Sequence, residues 1–528
     1  MKRQVWNLLV AEAITAAVVA LGVARVALSQ TTYTWKSGAA GDWSVATNWV
    51  GDVAPPSPGT GADSVTVNNA YDKVVTVSNA YHINALSLIG TIEFGAGADV
   101  TAASTPTHNA ICRIRDGAKL TVNTSVAWVG YNSRLSINET GDGTGRLTIN
   151  GNFLMGSTVA YASMVFIGGA TTNTPVLNVT GNFIPMGYSL FKGGKVVVEG
   201  ECDVRSGPIL PGNYPARMSG GHWTVGSLSM RGGGSTVEGG LIMSSGSVMV
   251  VNGNVTIRSN GYDDGPSALS LRDSAQVTVN GSRTIAVGAS TMSDRPGPGA
   301  LRLFESARFH APDSELRLGA GTYSDGTYVQ AGGTATVKNV WVGYLTNPSH
   351  SNPAGQRGYG VFIISNGVFN CRDFNIRGGV NATVTAKGGT VAISNATLNI
   401  LSTNETASIV LDGATWSFEG TGTETNGLEA PSLDLGAVSQ GWTSNYALGT
   451  LEIRPGARLR LRDHSDNVTG DGGAPEAVYV THLVLGAGAT LDLNSLNLYY
   501  LTMENNGGTF LNGTPRGPSR KGMIISVR

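Results

Sequence analysis

The sequence predicts an all-β repeat protein, a β-solenoid, on three observations. Composition is the first. Charged residues are 13% of the 528-residue chain, about half the ~25% of ordinary globular proteins. Its 73 glycines are roughly twice the usual share. Few Lys, Arg and Glu beside much Gly, Asn, Thr and Val favour strands and tight turns over helices. The second observation is a short two-strand pattern that recurs along most of the chain. The third is that no amphipathic helix of three or more turns is legible beyond the N-terminal segment. Hydrophobic content of 41% argues against disorder. A net charge of -1 without a long basic run offers nothing to neutralise a phosphate backbone, so nucleic-acid binding is not expected.

The repeat unit reads apolar-x-apolar, two or three turn residues, apolar-x-apolar. Residues 147–155, Leu-Thr-Ile-Asn-Gly-Asn-Phe-Leu-Met, show it most clearly, and 120–128, 177–185, 196–204 and 249–257 follow. Versions with a shorter turn occupy 223–230, 369–376 and 491–498. Segment 277–285 fits except that Arg283 stands where an apolar residue is expected, which suggests a coil with an exposed face. Side chains alternate across a strand, so apolar residues two apart share a face. In 249–257 this assigns Met249, Val251, Val255 and Ile257 inward. A single pair of strands cannot bury that face, but stacked coils can. Asn-Gly and Thr-Gly at the corners are expected to supply positive φ for a sharp bend. Successive units start some 20 to 35 residues apart, the length of a solenoid coil. That length leaves room for three short strands and a triangular cross-section.

Residues 1–29 read as an export signal. Lys2 and Arg3 precede a mostly apolar core over 13–24, and Ala27-Leu28-Ser29 places small residues where a signal peptidase reads them. Cleavage would leave Gln30 first; retention as an anchor is the alternative. Residues 30–109 form the next unit, holding Trp35, Trp43 and Trp49. These tryptophans either cap the open end of the array or stack on sugar rings, and the cap is favoured because terminal repeats must cover apolar edges. The repeats then occupy 110–500, and 501–528 form a C-terminal cap with a basic tail.

Trp128-Val129-Gly130-Tyr131 recurs as Trp341-Val342-Gly343-Tyr344. With the N-terminal tryptophans and the ending 494–510, "NSLNLYYLTMENNGGTF", the chain resembles the large secreted repeat proteins of planctomycete and verrucomicrobial bacteria. Those proteins are similar in turn to autotransporter passenger domains. The resemblance covers nearly the whole mature chain, although its motifs are degenerate. It implies a right-handed parallel β-helix and no activity. The chain departs from autotransporters in showing no C-terminal run of ~10-residue membrane strands, and its tail 516–528 is basic and broken by Pro and Gly.

Candidate chemistry is sparse. Asp263-Asp264 is the only adjacent aspartate pair and is similar to the paired aspartates of polygalacturonases, which are β-helical. The other motifs of that family (Asn-Thr-Asp, Gly-His-Gly, Arg-Ile-Lys) are missing, and turn chemistry is the simpler reading. Asp463, His464, Ser465, Asp466, Asn467, Gly470 and Asp471 gather oxygen ligands of the kind Ca²⁺ takes, without matching an EF-hand or the nonapeptide calcium repeat. A solvated loop is the expectation there. Seven histidines lack ligand spacing. Cys112, Cys202 and Cys371 are expected as small buried hydrophobes, with one long-range disulfide as the alternative. The sequence therefore points to a secreted or cell-surface structural or adhesive protein with no catalytic, cofactor or metal residue assigned. Its expected partners are itself, as a filament or surface layer, or surface glycans, with no membrane span once the signal is removed. The alternative is a polysaccharide lyase, glycoside hydrolase or glycan-binding module on the same scaffold.

Overall fold

The computed structural model describes residues 30–518 except 60, 105–108, 129–132, 140–142, 156–163, 169–175, 186–188, 206–215, 233–238, 260–266, 290–297, 321–324, 345–357, 379–381, 403–407, 421–424, 444, 466 and 468–474. The predicted signal at 1–29 and the end of the tail lie outside them. The fold is all-β with a long parallel sheet. Helix among the described residues is limited to single turns at Ala46–Asn48 and Gln440–Thr443. None is long and apolar enough to cross a membrane.

Strand pairing resolves into three parallel ladders, and from Asn109 on each passage of the chain adds one strand to each. One such layer comprises Gly239–Ser244, Val248–Val251 and Val255–Ser259. The next comprises Ser267–Leu271, Gln276–Val279 and Thr284–Val287. Leu241 opposes Leu269 in the first ladder, Met249 opposes Val277 in the second, and Val255 opposes Ile285 in the third. The pairing begins ahead of residue 110: Thr32–Thr34 stacks on Ser64–Asn68, which stacks on Ala80–Phe94. At the other end the ladders run to Asn497–Asn505 and Thr509–Leu511. Positions paired in parallel advance by as little as 17 residues (Val75 to Ile92) and as much as 37 (Leu411 to Leu448).

The two-residue period explains why the layers hold. Met249, Val251, Val255 and Ile257 are all fully buried, while Val250 and Thr256 between them are half-exposed. One apolar core runs from Trp35 to Leu498. Because the register is parallel, like side chains stack on like. Phe153 lies on Phe183 with centroids 5.3 Å apart, and Tyr328 on Phe362 at 5.0 Å. Offset stacking of this kind adds about 0.5–1.5 kcal/mol beyond area burial.

Two expectations about the corners need correction. Gly151 and Gly253 do not adopt positive φ. They are required because a Cβ would lie 2.5 Å from the Ser125 nitrogen or the Gly226 oxygen of the layer before. Positive φ does operate at Gly281, at +75°, where a Cβ would meet only the Arg283 Nε at an ordinary 3.9 Å. Arg283 does not mark an exposed coil. The turn there is longer, so Ile285 and Val287 take the inward positions and Arg283 sits exposed at the corner, its backbone N–H donating to the Ser314 Oγ.

Among the described residues, one departure from the regular plan carries an antiparallel strand pair. Residues 430–447 replace a simple crossover with an excursion that carries Gln440–Thr443. Ser432–Leu433 pairs antiparallel with 476–477, unlike every other strand pair among the described residues. Trp442 packs edge-on against Tyr479, which stacks on Tyr499, forming a small second core.

Candidate functional site

The N-terminal tryptophans are unavailable for stacking on a sugar. Trp35, Trp43 and Trp49 are at most 2% exposed. Trp43 stacks on Trp49 at 5.6 Å and Trp35 meets Trp49 edge-on at 5.0 Å. The Trp49 Nε1 donates to the Trp43 carbonyl and the Trp35 Nε1 to the Ala39 carbonyl. Each ring thus has apolar neighbours, and two have their polar edge satisfied.

The outward face of the third ladder carries a row of arginines and two partly exposed aromatics. Arg205, Arg231 and Arg258 occupy successive strands in register, which places their backbones about 4.8 Å apart. Asp203 lies beneath them with its side chain 3% exposed. Its Oδ2 accepts from the Arg205 Nε at 2.8 Å and Nη2 at 2.6 Å, and the Arg231 Nε lies 3.1 Å from its Oδ1. Burial lowers the pKa of Arg258, and the charges of Arg231 and Arg205 add to the effect against Asp203 and Glu201. Three guanidiniums around one buried carboxylate leave local positive charge. A planar guanidinium fork matches carboxylate and sulfate oxygens.

Further along the same face, Trp341 stands between Arg317 and Asn375 in register. Its indole Nε1 donates to the Glu315 carboxylate, and its ring meets Tyr344 edge-on at 5.9 Å. The Arg317 guanidinium sits 4.4 Å over the Tyr344 ring. The two Trp-Val-Gly-Tyr copies are therefore not structurally equivalent. Trp128 is buried with its Nε1 donating to the Ala110 carbonyl, whereas Trp341 lies one residue out of phase and faces outward. In the second copy Val340 and Val342 take the inward positions. A motif match by letters missed this, because a shift of one residue changes faces.

On the second ladder a shallow groove of about 470 Å³ is lined by Gln276, Thr278, Arg308, His310, Thr334 and Thr336. It supplies hydrogen-bonding groups and an imidazole, and no carboxylate lines it among the described residues. Glycoside hydrolysis through a carboxylate pair has no acid and base in this groove.

Asp263 and Asp264 lie outside the described residues, as do Asp466, Gly470 and Asp471. The described part of the 463–471 segment is not simply a solvated loop. The backbone N–H groups of His464 and Ser465 both donate to the Glu429 Oε1 at 2.7 Å, and that of Asn467 donates to the Glu476 Oε1 at 2.6 Å. Glu429 and Glu476 were not legible as partners, since each ends or begins an ordinary strand, Glu429 some 35 residues before the segment and Glu476 nine residues after Asn467. Cys112, Cys202 and Cys371 are free and buried. Desolvation pushes all three thiols well above the ordinary range, which leaves them unreactive. Comparison of the chain with protein-family models, curated proteins and solved structures finds no match.

Proposed function

We propose that this chain is a right-handed parallel β-helix that works outside the cell or on its surface as a structural, adhesive element without catalytic activity. The observation that carries this reading is the stacking of parallel strands from Thr32 to Leu511, in three ladders from Asn109 on, around one apolar core. Almost every inward position serves packing, which suits a scaffold whose work is done by its outer faces. The hand follows from the general preference of parallel strand connections, right-handed in ≈ 98% of cases. The sequence of residues 1–29 supports export. Immunolabelling of intact cells, together with N-terminal sequencing of the mature protein, tests the proposal. Surface label and a start at Gln30 are expected, and purely cytosolic label on a chain that keeps Met1 refutes it.

A second reading, glycan binding, is favoured by the third-ladder face. The Arg205–Arg231–Arg258 row suits the carboxylates or sulfates of an acidic polysaccharide, and Trp341 with Tyr344 provides aromatic surface three layers further along the same face. Salt-sensitive retention on an acidic polysaccharide column, reduced by Arg258→Gln and by Trp341→Ala, supports adhesion through this face. Retention unchanged by either substitution removes it.

A further inference from the structure

We propose that the junction of two consecutive crossovers, at Glu429, Asn467 and Glu476, is a calcium site. Both connections leave the third ladder for the first. One starts after Asn426–Glu429, the other after Arg458–Arg462. They meet where Ser432–Leu433 runs antiparallel to the start of Glu476–Leu485.

Glu429 is 0% exposed, Glu476 4% and Asn467 5%. The Oε1 of Glu429 is saturated by two backbone donors, yet its Oε2 has no hydrogen-bond partner. The Asn467 side chain is turned so that its Nδ2 reaches the Ala430 carbonyl at 3.4 Å, and its Oδ1 likewise has no partner. Glu476 holds the same loop through the Asn467 N–H. Arg462 is the register partner of Glu429, and its Nε lies over Gly427, 2.7 Å from where a Cβ would stand.

A buried carboxylate oxygen and a buried amide oxygen, neither with a donor, are costly unless a cation meets them. Oxygen donors of this kind select a hard ion, and an irregular loop junction suits Ca²⁺, which takes six to eight oxygens flexibly. Mg²⁺ demands near-ideal octahedral geometry and gives up its water reluctantly. Among the described residues no three His, Cys, Asp or Glu side chains cluster as a metal site, so backbone carbonyls and water would complete the shell. The ion would tie two successive layers together at the excursion that carries the antiparallel pair.

The test is titration of the full, EDTA-stripped chain with Ca²⁺ alone and Mg²⁺ alone, followed by calorimetry and thermal melting. Ca²⁺ is expected to bind and to raise the melting temperature, with Mg²⁺ much weaker. At free Ca²⁺ one hundred times Kd the folding constant should rise about 100-fold. Glu429→Gln and Asn467→Ala should each weaken binding, while the exposed Glu504→Gln should not. Three results overturn the proposal: no Ca²⁺ binding by the wild type; binding indifferent to both site variants; or Glu429→Gln melting above the wild type with and without Ca²⁺, which marks a carboxyl group satisfied by a proton or water. If Glu429→Gln does not fold, the wild-type titration and Asn467→Ala decide the matter.

Discussion

Replacing Val255 by Asp and, separately, Thr256 by Asp puts the same charge one residue apart on opposite faces of a strand. Val255 is fully buried between Leu228 and Ile285 in the third ladder. The substitution forfeits about 1.5–3 kcal/mol of side-chain burial and places an unpaired carboxylate among apolar groups, which costs several kcal/mol more after relaxation. A loss on the order of 5–8 kcal/mol follows, comparable to the whole stability of a small domain. Thr256 faces outward between Ser229 and Ala286, with Arg258 two residues along on the same face. A carboxylate there has solvent and guanidinium nearby, so the change should stay within about 0.5 kcal/mol. Layers contact mainly their neighbours, so damage from Val255→Asp should be local. Limited proteolysis should give new cuts within about residues 225–285, with distant layers intact, while Thr256→Asp melts and digests like the parent. Equal tolerance of both substitutions refutes the inward and outward assignment and the stacked core built on it.

Glycine is required for different reasons at two corners, and substitution separates them. At Gly151 any Cβ meets the backbone of the preceding layer, so Ala and Asn should both lower the melting temperature, as overpacking costs about 1–3 kcal/mol. At Gly281 only the left-handed backbone matters, so Asn, which visits that region readily, should melt close to the parent. Equal losses for Asn at both positions contradict this. Burial raises the pKa of Asp325, so its neutral form is favoured in the folded state. The penalty is nil at a pH below the unfolded value and complete once pH exceeds the folded one. Asp325→Asn should therefore raise the melting temperature at about pH 7, with the gain fading towards about pH 3; a pH-independent difference counts against the assignment. Finally, a thiol reagent should leave Cys112, Cys202 and Cys371 untouched in the native protein and modify all three in guanidinium. Rapid native labelling contradicts their burial.

The repeat was legible because burial imposes a period on the letters: Leu147, Ile149, Phe153 and Met155 are apolar for the same reason they are inward. Its details were less so. The turn between Val279 and Ile285 is longer than the pattern assumed, and Arg283 looked misplaced only because the inward positions were counted two residues early. Trp128 and Trp341 sit in identical tetrapeptides yet face opposite ways, since flanking register decides the face. The close approach at Gly151 depends on Ser125, 26 residues earlier, and no local rule reports it. The 463–467 segment was visible as a group of oxygen ligands. Its partners Glu429 and Glu476 were not, because a strand-end glutamate in sequence resembles any surface glutamate.

The three ladders also dictate how such a molecule responds to tension. Inter-strand hydrogen bonds in a parallel ladder lie along the stacking direction, so pulling the two termini apart opens them a layer at a time. Each opening sets free the 17 to 37 residues of one turn. At about 3.5 Å per extended residue, that is roughly 60 to 130 Å of slack per event. The force is capped by one layer's contacts rather than summed over the rod. A tether made this way yields in steps and dissipates work at every step, and the junction at Glu429 and Glu476, cross-linked to the layer beyond, is where the yielding would pause.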